Sequence, residues 1–146
     1  MRLWDWAVGA YGRPGVADAC LNLQDAHGQN TCLLLWAVWA GATPHTAAPA
    51  AELARAWDAA AVTPLRDVRR ALKSSFPPVA DEERERLRNA VKAAELQSER
   101  LLLEALERLC PQSSGAAPLD ALVAASAAWG APAPQPALAA LAAALQ

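Results

Sequence analysis

The chain has 146 residues, 54% of them apolar, and a formal net charge of −2. That length fits one domain with a sizeable core, and so small a charge gives no global pull toward nucleic acid or an anionic membrane. The longest apolar run, Cys32 to Ala42, has 11 residues, about half of what a bilayer crossing needs.

Alanine occurs 38 times and isoleucine not at all, a composition that favours helices and leaves few β-branched residues for strands. The first helix is expected over Leu3–Tyr11 and is broken by Gly12-Arg13-Pro14-Gly15. The second, Ala17–His27, carries Cys20, Leu23 and His27 on one face and Asp18, Asn22 and Asp25 on another, with Gly28 placed to end it in a left-handed conformation. Asn30 can cap the third, Thr31–Ala42, which is apolar all round and therefore expected at the centre. Pro49 could begin a fourth, Ala50–Val62, and Thr63-Pro64 reads as the cap and first residue of a fifth reaching about Ser74, with Leu65, Val68 and Leu72 inward.

Ser75-Phe76-Pro77-Pro78 is a stop. A long helix follows from Asp81 to about Cys110, with a heptad-like seam of Leu87, Val91, Ala94, Ser98, Leu101, Ala105 and Leu109. Two short helices, Pro118–Trp129 and Ala137–Leu145, end the chain. The expected fold is an all-α, irregular bundle of six to eight helices, with a central apolar helix at about 31–42 and one long helix at about 81–110. Residues 1–110 are expected to form a single helical domain, and 111–146 an Ala/Pro-rich helical tail. Trp4, Trp6, Trp36, Trp39 and Trp57 all precede residue 58. Each aromatic can bury roughly 150–250 Å², so the amino-terminal third should supply the core.

Several segments resemble a family of small proteobacterial proteins of unknown function, DUF2390. They are Leu3-Trp4-Asp5-Trp6-Ala7, Tyr11-Gly12-Arg13-Pro14-Gly15-Val16, the stretch from Cys20 to Gly28, Leu33-Leu34-Leu35-Trp36 with Trp39, Pro64-Leu65-Arg66, Leu72-Lys73 and Val91-Lys92-Ala93-Ala94-Glu95-Leu96. The resemblance runs from about Leu3 to Leu106 and departs at Cys32, where the family pattern has asparagine. It implies a small, helical, cytoplasmic protein and supplies no reaction, cofactor or partner. The chain's own features agree on location: Met1 to Trp6 holds Asp5 and does not read as a signal peptide, and three cysteines show no pairing pattern.

Two groups of residues are candidates for function. Arg66, Arg69, Arg70 and Lys73 stand at i, i+3, i+4 and i+7, one basic face within a stretch that carries a local excess of positive charge. This face would suit a protein partner with an acidic surface. Nucleic acid is disfavoured, because Phe76 is the one aromatic among these cations and bases need stacking surfaces. The second group is Gln24, Asp25, His27 and Asn30, at the corner between the second and third helices, where they would bind a ligand or satisfy buried backbone groups.

Cys20, His27, Cys32 and His45 match no zinc spacing, and Cys20 and Cys32 read as small buried apolar residues rather than nucleophiles. No catalytic residue, metal or cofactor is assigned. The leading expectation is a non-catalytic interaction or adaptor protein, with a homodimer through the long helix as a further possibility for that surface. The alternative is a small-ligand-binding protein or enzyme using the polar corner.

Overall fold

The computed structural model describes residues 1–111 and 115–146. Its helices are α1 (Leu3–Tyr11), α2 (Val16–His27), α3 (Thr31–Ala40), α4 (Pro44–Trp57), α5 (Thr63–Ala71), α6 (Asp81–Leu109), α7 (Pro118–Trp129) and α8 (Gln135–Ala144). A π turn, Asp58–Val62, joins α4 to α5 without a break. The protein is all-α, and the described residues form no strand. No helix among them is long and apolar enough to cross a membrane.

Local chemistry explains the boundaries. Gly28 adopts φ 61° and its N–H donates to Gln24, which ends α2 at the expected place; this left-handed conformation costs glycine little. Asn30 Oδ1 accepts the Leu33 N–H at 3.0 Å and starts α3. α4 starts at Pro44, six residues before the expected Ala50. Two prolines compete to open this helix, and the threonines decide between them. Thr43 Oγ1 accepts from the Thr46 N–H, Thr46 Oγ1 accepts from the Thr43 N–H, and Pro44 takes the first position, where its missing N–H is no loss. Replacing Thr43 by alanine should cost about 1 kcal/mol and lower the melting temperature by about 2–4 °C, read by thermal denaturation.

Thr63-Pro64 does not start a new helix. An α-helix continued into Pro64 would drive its ring against the carbonyl of Ala60. The chain avoids this by widening: the Thr63 N–H bonds five residues back to Asp58 O, and Thr63 Oγ1 donates to the Asp58 carboxylate at 2.9 Å.

α3 is the axis of the bundle, with Cys32–Ala37, Trp39 and Ala40 all buried and Trp36 fully so. α1, α4, α6 and α7 pack around it, and α8 lies on α2 and α7. Leu122 of α7, Leu138 and Leu141 of α8, and Leu145 just after it belong to the same core as Leu33 and Trp36. Trp4, Trp6 and Trp57 are only partly buried at its edge. Four indole N–H groups pin distant segments: Trp36 donates to Cys110 O, Trp39 to Met1 O, Trp57 to Ser98 O and Trp129 to Gly28 O.

The seam read along α6 is displaced. Leu87, Leu101 and Leu109 are exposed, whereas the buried positions are Arg84, Glu95, Ser98, Leu102, Leu103 and Leu106. The apolar pattern misleads here because the amino-terminal half of α6 buries charged side chains that find partners.

Candidate functional site

Those partners come from α5. No residue of α5 is buried, and Val68, expected to point inward, is 46% exposed. Arg66 and Arg69 reach across to Glu95 on α6, whose side chain is only 10% exposed. Arg69 Nε donates to Glu95 Oε2 and its Nη2 to Oε1, while Arg66 Nε donates to Oε1 at 3.3 Å. Burial by itself would push the Glu95 carboxyl up, but the two guanidinium groups outweigh it and hold the carboxyl below its ordinary value. Nearer the start of α6, buried Arg84 donates from Nη1 to Leu72 O at 2.6 Å and Lys73 O at 3.2 Å. It thereby meets the carbonyl-rich end of α5, where a cation is favoured. Of the four cations on the expected basic face, Arg70 lies 3.9 Å from exposed Asp25, and Lys73 is exposed.

The polar corner divides into two parts. Gln29 is buried and latches the corner to the carboxy-terminal helices: its Nε2 donates to His27 O and Ala131 O, and its Oε1 accepts from Ser126 Oγ. Ser126 Oγ in turn accepts the Ala133 N–H at 2.8 Å. His27 is half-buried and Asp25 exposed, and neither lines the cavity or the groove at this end of α2. Gln24 and Asn30 do. Together with Arg66, Asp58, Glu99 and Trp129 they line a cavity of about 140 Å³. The structure thus brings Gln24, Asn30 and Arg66, drawn from both sequence candidates, to one place.

That cavity adjoins a larger groove of about 660 Å³, with Gln24, Thr31, Cys32 and Glu99 lining both. The groove runs between α1, α3 and α6, and most of its wall is apolar: Trp4, Ala7, Val8, Leu35, Leu96 and Leu103. Tyr11 and Gln24 add polar groups, and Glu99 is the one charged side chain among the described residues that line it. Glu99 sits one helical turn beyond Glu95, and the two carboxylates differ in their partners. Glu95 takes both arginines, so Glu99 keeps only Arg66 Nη2 at 3.7 Å, and no hydrogen bond reaches its carboxylate among the described residues.

Burial, and then the charge of Glu95, push the Glu99 carboxyl up. Tyr11 is raised too, first by burial, which keeps its hydroxyl protonated. The thiols nearby are inert: burial pushes Cys20 up to about 11 and Cys32 higher still. Glu99, Trp4, Tyr11, Leu35, Leu96 and Leu103 were not among the sequence candidates. The one local signal for them was the Glu95/Glu99 spacing on a helix that also has to pack.

No curated protein and no solved structure matches this chain. The family model described as "Protein of unknown function (DUF2390)" matches residues 2–106, a span that contains every groove residue from Trp4 to Leu103 and ends before α7. The match covers well over half of the chain, which therefore belongs to the DUF2390 family.

Proposed function

We propose that this is a small-molecule-binding protein whose site is the groove between α1, α3 and α6. The observation that carries the reading is the groove itself. Its volume of about 660 Å³ falls within the roughly 300–1,000 Å³ usual for ligand pockets, and mostly apolar walls with a few convergent polar groups are the common lining of such sites. A carboxyl displaced from its ordinary value at the same place adds to the support. Every residue lining the groove falls within the matched span 2–106, so the groove is built by the family part of the chain. Catalysis has less to stand on, because the thiols are protonated and His27 lies outside the groove.

The adaptor reading draws on α5, where Arg66 and Arg69 are already engaged by Glu95, leaving Arg70 and Lys73 for an acidic partner. A second copy pairing along α6 would use Leu87, Leu101 and Leu109, which are exposed.

Titration with Nile red, a neutral apolar dye, tests the groove. Leu96 is exposed at its edge, so Leu96→Asp should leave the fold intact while placing a charge beside the apolar wall. Saturable one-site fluorescence with the wild-type protein, weakened about tenfold or more in Leu96→Asp at an unchanged melting temperature, is expected. Equal binding by the two proteins, or no saturation in either, would end the reading.

A further inference from the structure

Glu99 stands in an unusual position for a carboxylate. It faces a groove with apolar walls, its carboxylate accepts no hydrogen bond from the described residues, and its nearest cation, Arg66, stands at 3.7 Å and is hydrogen-bonded to Glu95 instead. A carboxylate partly removed from water needs donors, and four lone-pair sites are available for them. An ammonium group has three N–H donors and a compact positive charge, and fits this need better than a hydroxyl, which brings one donor and no charge.

We propose that the ligand class of this groove is an apolar primary monoamine, with its ammonium on the Glu99 carboxylate and its hydrocarbon body against Ala7, Leu35, Leu96 and Leu103. The inference rests on the groove being the binding site. A single charged group on the wall selects a monoamine over a polyamine, whose further charges would lie on apolar surface. An apolar carboxylic acid would bring like charge to Glu99. The first residues of α3, Thr31 and Cys32, also line the groove, and a helix start favours anions. That influence amounts to about half a charge, however, and Asn30 already accepts one of its donors. The full charge on Glu99 outweighs it. Tyr11 supplies an aromatic surface beside the carboxylate, a further attraction for a cation. Trp4 already has a cation at its ring, the Arg100 guanidinium 5.2 Å from the centroid.

Three ligands with the same eight-carbon chain separate the chemistry: n-octylamine, 1-octanol and octanoate, each titrated into the intact protein by calorimetry at neutral pH and by displacement of Nile red. Octylamine should bind about tenfold or more tightly than 1-octanol, with octanoate weakest. Glu99→Gln, which keeps the shape and removes the charge, should erase the advantage of the amine and leave the affinity for 1-octanol unchanged. If 1-octanol binds the wild-type protein as tightly as octylamine, or if Glu99→Gln keeps the preference, the amine assignment falls while the groove remains a site. If none of the three displaces Nile red, both the assignment and the groove reading fall. The comparison of ligands on the wild-type protein does not depend on how any variant folds.

Discussion

Ending the chain at Pro111 is expected to abolish cooperative unfolding. The lost part carries Leu122, Leu138, Leu141 and Leu145, all buried in the common core. Each is worth about 1.5–3 kcal/mol of burial, so together they rival the roughly 5–15 kcal/mol by which a whole domain is stable. The loss would also uncover the faces of α3 and α4 on which α7 packs. Gln29, buried at the α2–α3 corner, would be left without Ser126 and Ala131, and an unpartnered buried amide adds its own penalty. The measurement is urea unfolding of residues 1–111 beside the full chain, followed by tryptophan fluorescence and near-ultraviolet circular dichroism. A sharp transition at an undiminished midpoint would show that α7 and α8 are an appendage to a self-sufficient amino-terminal unit.

Glu95→Gln should cost about 2–4 kcal/mol at neutral pH, because two guanidinium groups then face a neutral amide in a poorly solvated place. Arg69→Met should cost a similar amount, and the double variant less than both together, since the pair is lost once. The pH dependence has a definite sign. The Glu95 carboxyl is held below its ordinary value, so its stabilising contribution is present above the unfolded value, 4.5, and is lost as pH falls through the lower folded value. The gap between wild type and Glu95→Gln should therefore be flat at neutral pH and close in acid. Glu99 works the other way. Its carboxyl is raised, so its charge costs stability above the folded value, and that cost disappears in acid. Chemical denaturation across this pH range reads both. A midpoint for Glu95→Gln equal to wild type at neutral pH would mean that the α5–α6 contact is held by something else.

Much of the architecture was legible. α1, α6 and α7 have ends marked by glycine, proline or a charge run, and α3 has no polar face to turn outward, so its central place follows from its composition. What failed did so for identifiable reasons. The start of α4 depended on two threonines three residues apart, a signal weaker in the sequence than a second proline. The α6 face follows in the sequence from heptad spacing of mostly apolar residues, whereas Arg84 and Glu95 are buried by partners on α5 that periodicity does not reveal. The site was half visible. Gln24, Asn30 and Arg66 stand out as polar residues near apolar ones, but the groove exists only when α1, α3 and α6 converge, and no local spacing announces that. Glu99 stands one helical turn from Glu95 with no histidine at matching spacing, so the sequence alone gives the pair no role. Its distinction is that Glu95 takes the hydrogen bonds of both arginines and leaves it one longer ion pair, with Arg66.

The π turn at Asp58–Val62 inserts one residue into a rod that would otherwise stay in register from Pro44 to Ala71. One extra residue rotates everything after it by about 100° around the axis. Had the rod remained regular, Arg66 and Arg69 would be swung a quarter turn or more from Glu95. The wedge therefore works as the setting of a dial: it selects which two cations of α5 are spent on Glu95, and by doing so it leaves Glu99 with a single ion pair and no hydrogen bond to its carboxylate from the described residues.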